Sequence, residues 1–260
     1  MNFCQLLLLQ VFAHVLADFV FQSEHWARHK NKKGRKSKYL KYHILIVFLL
    51  SWLLSFQTLF VMGSLLITGF HFLLDALKKH IEKITITGKN LFGRHIFFID
   101  QFLHLLVISA AVYFYSVYFP LKPWFTIPLN CYHLAILFSY VLCLKPSNIL
   151  IKEIFQAYAI KLPSGPSVAG YEKAADKREP KELPNAGKLI GNAERIISLT
   201  LILIDQFAPV GFLIAAKSII RYKESDITKT EYVLIGTLLS FGIAIMLGVG
   251  LLHVDRGIPN

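Results

Sequence analysis

Residues 96–119 read IFFIDQFLHLLVISAAVYFYSVYF, a run whose single charged residue is Asp100 and whose single histidine is His104. At about 1.5 Å per residue the run is longer than the roughly 30 Å hydrocarbon core of a bilayer. It is apolar all round, without the period-two alternation of a membrane β-strand. It therefore reads as a transmembrane helix carrying an ionisable pair. The pattern recurs at residues 12–22, FAHVLADFVFQ, with His14 and Asp18, and at residues 70–79, FHFLLDALKK, with His71 and Asp75. Each histidine stands four residues from its aspartate, which puts both on one helix face. Ionisable groups in apolar helices are costly, and they tend to be paired, inward-facing and functional.

The whole chain supports this reading. Its 260 residues are 55% hydrophobic and only 17% charged, whereas soluble domains carry about a quarter charged residues. The fold class expected is all-α, a polytopic transmembrane bundle of about eight membrane helices in two modules. Those helices fall at roughly 3–22, 43–60, 62–79, 96–119, 131–145, 189–206, 208–222 and 231–252. The formal net charge is +12. Lysine and arginine gather between the apolar runs, as in cytoplasmic loops, so the charge is topological and no nucleic-acid partner is expected. The apolar N-terminus has no basic leader and no small-residue cleavage site, so it reads as a retained first helix.

Residues 25–42, HWARHKNKKGRKSKYLKY, place the first loop in the cytoplasm and the N-terminus outside. Lys78, Lys79, Lys83, Lys89 and Arg94 return the chain to the cytoplasm after the third helix. An even number of spans puts the C-terminus outside as well. The expected organisation is a five-helix membrane module over 1–145, a cytoplasmic interfacial helix and proline-bearing linker over 146–187, and a three-helix module over 188–260. In the last helix Gly236, Ser240, Ala244 and Gly248 form a small-residue stripe suited to close helix packing. Cys4 and Cys131 fall on the same predicted membrane face, where a bridge is open to them, and Cys143 stands apart.

Topology turns the three pairs into one feature. The helices at 3–22 and 62–79 run inward with histidine before aspartate; the helix at 96–119 runs outward with the order reversed. Asp18, Asp75 and Asp100 then lie roughly 5–6 Å inside the cytoplasmic edge, and His14, His71 and His104 roughly 10–12 Å inside it. Three imidazoles and three carboxylates suit a divalent metal such as zinc, manganese or iron. The histidines are the candidate ligands, and the aspartates serve as ligands or as the catalytic base. Gln22 and Gln101 lie at the same edge as candidate substrate contacts, and Lys78 and Lys79 as candidate phosphate contacts. His43 is a further candidate ligand that reads first as an interfacial histidine, Glu194 and Arg195 read as a local or inter-module ion pair, and the second Asp-Gln at 205–206 as a chance echo. No phosphate-binding loop, nucleophile elbow or zinc-protease motif occurs in the chain.

Residues 14–30, HVLADFVFQSEHWARHK, residues 71–79, HFLLDALKK, and residues 97–105, FFIDQFLHL, together resemble the bacterial inner-membrane family catalogued as domain of unknown function 3307. The resemblance covers about the first 120 residues. GKLIGNAERI at 187–196, GFLIAAKSIIRYKES at 211–225 and EYVLIGTLLSF at 231–241 are similar to the extension of longer members. The resemblance implies a multi-pass protein of the bacterial inner membrane and brings no activity with it. Two functional readings follow. One is a metal-dependent hydrolase acting on a lipid or lipid-linked phosphate; the other is a proton- or ion-coupled transporter, or a membrane partner of a cytoplasmic protein.

Overall fold

A computed structural model describes residues 1–33, 37–85, 91–125, 128–160, 186–221 and 227–257. The proline-bearing linker lies almost wholly outside the described residues, as do most loop lysines and arginines; Lys79 is described in its backbone only. Every regular element among the described residues is helical. The chain divides into two compact units, residues 1–138 and 139–260.

In the first unit Asn2 opens α1 (Phe3–Val15) by a reciprocal capping box. Its side chain accepts from the Gln5 N–H while Gln5 accepts from the Asn2 N–H, both at 2.8 Å, satisfying two otherwise orphaned donors. A π-helical turn, Leu16–Phe21, continues it. α2 (Glu24–Lys33) precedes α3 (Lys38–Ser55), which stops where Phe56 takes a left-handed conformation at φ 52°. The Phe56 carbonyl accepts from the Trp124 N–H at 2.8 Å, anchoring the turn. A 3-10 turn, Thr58–Phe60, leads into α4 (Val61–Thr85), followed by α5 (Leu91–Tyr118). α6 (Cys131–Leu142) begins beside the start of α1, where a disulfide joins Cys4 to Cys131.

The interior of this unit is layered. Leu6, Phe60, Ile67, Ile108, Val112 and Tyr115 form an apolar plug toward the disulfide end. Below it Gln10 donates to the Ser51 carbonyl at 2.9 Å, and Ser51 Oγ donates to Gln10 Oε1 at 2.7 Å and meets Ser64 Oγ at 3.0 Å, where the Ser64 hydroxyl is the donor. Histidines and then aspartates follow toward the opposite end. Buried residues at four-residue steps, such as His43, Val47, Ser51 and Ser55 on α3, put all these layers on one line per helix.

The second unit holds α7 (Lys145–Ala157), α8 (Ala186–Leu203), α9 (Phe207–Arg221) and α10 (Ile227–Gly257). The small-residue stripe packs as its spacing requires. A Cβ on Gly248 would lie 2.6 Å from Ile202 Cγ2, and one on Gly236 3.5 Å from the Phe155 ring. Arg195 is buried, yet it does not pair with Glu194, which holds Lys217 at 2.5 Å. The guanidinium donates to the Cys143 carbonyl, Ser240 Oγ, Asn148 Oδ1 and Asn192 Oδ1 at 2.6–2.8 Å. It thereby satisfies carbonyl and amide oxygens at the 56° bend between α6 and α7. Asp205 ends α8 in a left-handed conformation at φ 56° and is exposed.

Among the described residues, five stretches are long and apolar enough to cross a membrane: Phe3–Phe21, Lys38–Ser55, Thr58–Lys78, His95–Tyr118 and Thr230–Val254. The bent pair α6 and α7 makes a sixth if it counts as one span. α8 carries Lys188, Glu194 and Arg195 within 18 residues, and α9 has only 15. These figures describe a membrane protein with five or six candidate spans.

Two outcomes check this description. Denatured without reductant, the protein is expected to take up PEG-maleimide on Cys143 alone, and on three cysteines after reduction; labelling of all three without reductant contradicts the bridge. Arg195→Lys keeps the charge but cannot span four acceptors, and it is expected to lower stability in mixed-micelle unfolding by about 2–4 kcal/mol. Stability equal to wild type would remove Arg195 from this role.

Candidate metal centre

Four helices deliver the site. α1 contributes His14, its π-helical continuation Asp18, α3 His43, α4 His71 and Asp75, and α5 Asp100, Gln101 and His104. π-Helical turns are rare and concentrate at functional sites. Here the wider turn carries Asp18 away from its own helix partner. His14 Nδ1 to Asp18 Oδ2 is 3.9 Å, whereas Asp18 Oδ1 lies 3.5 Å from both His43 Nε2 and His71 Nε2.

The three pairs therefore do not act as three separate struts. His71 Nε2 and Asp75 Oδ2 are 4.0 Å apart, and His104 Nδ1 and Asp100 Oδ1 3.6 Å, beyond good hydrogen-bond range. The short contacts run elsewhere. His14 Nε2 meets Gln101 Oε1 at 3.3 Å, His43 Nε2 meets His71 Nε2 at 3.0 Å, and His104 Nδ1 meets the Asp100 carbonyl at 2.8 Å. The rings form one group, with centroid separations of 5.1 Å for His14–His104, 4.4 Å for His71–His104 and 5.1 Å for His43–His71.

Three ligand atoms define its centre. His43 Nε2, His71 Nε2 and Asp18 Oδ1 form a triangle with edges of 3.0, 3.5 and 3.5 Å. A tetrahedral ion with ligand distances of about 2.0–2.2 Å needs ligand-to-ligand edges of about 3.3–3.6 Å. Asp75 Oδ2 lies 4.0 Å from both Nε2 atoms. Among the described residues, three donor sets each have their ligand atoms within 4.8 Å of one another: His14, Asp18 and His71; His43, His71 and Asp75; Asp75, Asp100 and His104. Shared His71 and Asp75 link them.

The site's polar groups are incompletely satisfied by protein. Asp18 Oδ1, His43 Nδ1 and His104 Nε2 are buried without a hydrogen-bond partner, three of the six such atoms among the described residues. With His104 Nδ1 donating to a carbonyl, its Nε2 presents a lone pair. Buried polar atoms left unpaired usually mark a functional role or an additional ligand. The charges are distributed unevenly. Lys30 donates to Asp75 Oδ2 at 2.7 Å and Lys78 to Asp100 Oδ2 at 3.0 Å. Asp18 faces imidazoles and no lysine or arginine among the described residues.

The structure thus brings together His14, His71, His104, Asp18, Asp75 and Asp100, with Gln101 bridging His14 to Asp100 by a 3.2 Å bond. Lys78 sits on Asp100 and over the Phe97 ring. Gln22 closes the π-helical turn in extended backbone, and the side chain of Lys79 is outside the described residues. His43, which the sequence offers as a further ligand but ranks first as interfacial, lies at the centre of the cluster; its four-residue stripe with Ser51 and Ser55 was the available signal. Lys30 carried no signal, being one lysine in a basic run whose members look alike until α2 is placed.

No curated protein and no solved structure matches this chain. Residues 6–130 match the model of a family described as a protein of unknown function, DUF3307. That stretch contains every member of the cluster, from His14 to His104. Over residues 6–130 this chain is similar to the DUF3307 family.

Proposed function

We propose that the cluster is a divalent-metal centre, for zinc, manganese or iron, serving a hydrolase that acts on a lipid or lipid-linked phosphate. The observation carrying this reading is the His43–His71–Asp18 triangle, whose two 3.5 Å edges suit a tetrahedral ion, whose 3.0 Å edge between the imidazoles would open slightly around one, and whose carboxylate oxygen has no hydrogen-bond partner. His14 and His104 complete the imidazole set around it. A metal held there would lower the pKa of a bound water and polarise a phosphoryl oxygen. Asp75 or Asp100 would accept the proton of that water.

The reading includes a place and an orientation. The protein would sit in a bacterial inner membrane with both termini outside, α8 and α9 completing about eight spans in two modules. The Cys4–Cys131 disulfide supports this, since disulfides persist on the oxidising side and the cluster lies toward the opposite end of the bundle. The apolar plug of Leu6, Phe60, Ile67, Ile108 and Val112 favours a one-sided site over a transport path. A transporter would have to route ions from the Gln10–Ser51–Ser64 belt through that plug.

Metal analysis of the purified full-length protein tests the reading. About one zinc, manganese or iron ion per chain is expected, with affinity reduced at least about 100-fold in His71→Ala. Asp18→Asn, which conserves volume, should also lose affinity. Wild-type protein that binds no such ion, or variants that bind it unchanged, would sink the metal centre.

A further inference from the structure

The two lysines that reach this cluster approach from its open end. Lys30 on α2 and Lys78 on α4 keep 17% and 26% of their side-chain surface exposed, whereas Asp75 and Asp100 behind them keep 15% and 4%. α2 itself is held in place by Trp26 stacked on Tyr39 at 5.4 Å and by a 2.7 Å bond from His29 Nδ1 to Ser37 Oγ. An ammonium group is therefore held at the mouth of the site on the same Asp75 oxygen that lies 4.0 Å from His43 and His71.

Charge makes that placement consequential. With neutral imidazoles, Asp18, Asp75 and Asp100 against Lys30 and Lys78 leave one net negative charge in the cluster. A divalent cation on the triangle reverses this to one net positive charge. If it draws Asp75 as its fourth ligand, it competes with Lys30 for that carboxylate. Lys30 is then held near a cation, at the partly exposed edge of a low-dielectric site, where like charges repel strongly. An anion arriving from the open end removes both costs. A phosphate group has enough acceptor oxygens to meet an ammonium group and a metal together.

We infer that Lys30, with Lys78 beside it, is an exchangeable phosphate clamp: it neutralises Asp75 in the metal-free cluster and turns to a phosphate group when a divalent cation takes that carboxylate. This rests on the metal reading above and adds to it the class of the second ligand and the order of the exchange. Linkage then requires metal and phosphate to strengthen each other's binding.

The test uses the full-length protein in phosphatidylcholine nanodiscs, with Mn²⁺ binding read from the electron paramagnetic resonance signal of the free ion. Inorganic phosphate is expected to tighten Mn²⁺ binding at least about fivefold, after correction for the Mn²⁺ that phosphate itself complexes. Nanodiscs containing phosphatidic acid form a second arm. Tightening by the lipid alone assigns the clamp to a headgroup, and tightening by both assigns it to phosphate from either source. Lys30→Gln should bind Mn²⁺ at least as tightly as wild type without phosphate, yet show less than about twofold coupling. Lys30→Arg should keep the coupling. An uncoupled wild type in both arms, or full coupling in Lys30→Gln, overturns the clamp. Wild-type protein that takes up neither Mn²⁺ nor Zn²⁺ overturns the metal centre and the clamp with it, and that result is read before any phosphate is added.

Discussion

A carboxylate taken out of water must be met by a cation or by hydrogen-bond donors, and that requirement organises four helices of the first unit. Asp75 and Asp100 meet it with Lys30 and Lys78. Among the described residues, the charged or titratable groups paired with Asp18 are imidazoles. Its position depends on the π-helical turn, which redirects the carboxylate from its own helix toward α3 and α4. A regular α-helical turn would have left His14 and Asp18 as a pair facing one another, the commonplace arrangement for this spacing.

The rest of the first unit follows from isolating those charges. The plug of Leu6, Phe60 and Val112 closes the bundle on the disulfide side. Gln10, Ser51 and Ser64 hydrogen-bond to one another, so the layer between plug and histidines is polar and largely bonded within itself. Of the five buried unpaired side-chain atoms among the described residues of this unit, three lie at the cluster, on Asp18, His43 and His104, and the others are Gln57 Nε2 and Thr68 Oγ1. A cluster built only to hold helices together would have no reason to leave its unmet demand at the point where the ligand atoms converge.

The second unit solves the converse problem with other means. Arg195 is a buried cation with four neutral oxygens around it, and its planar fork distributes one charge over them. The Cys143 carbonyl and Asn148 Oδ1 belong to the bend between α6 and α7, and Asn192 Oδ1 and Ser240 Oγ come from α8 and α10. The arrangement accounts for the guanidinium as a structural pin, in contrast with the unfinished coordination around Asp18.

Much of this was readable from residue order. Apolar runs of membrane length and four-residue spacing settled an all-helical bundle with its ionisable residues on inward faces, because helix period and the cost of burial are local properties. The reversal of Asp100 and His104 relative to the other pairs announced common depth. Tertiary structure decided what local spacing cannot encode. Glu194 and Arg195 are adjacent in sequence, yet they point to different partners. His43 joins the centre because α3 packs against α1 and α4, and Lys30 is singled out from its neighbours because α2 lays it against Asp75. Which imidazole meets which carboxylate depends on helix rotation and on one π-helical turn, and both are set by packing between segments distant in the chain.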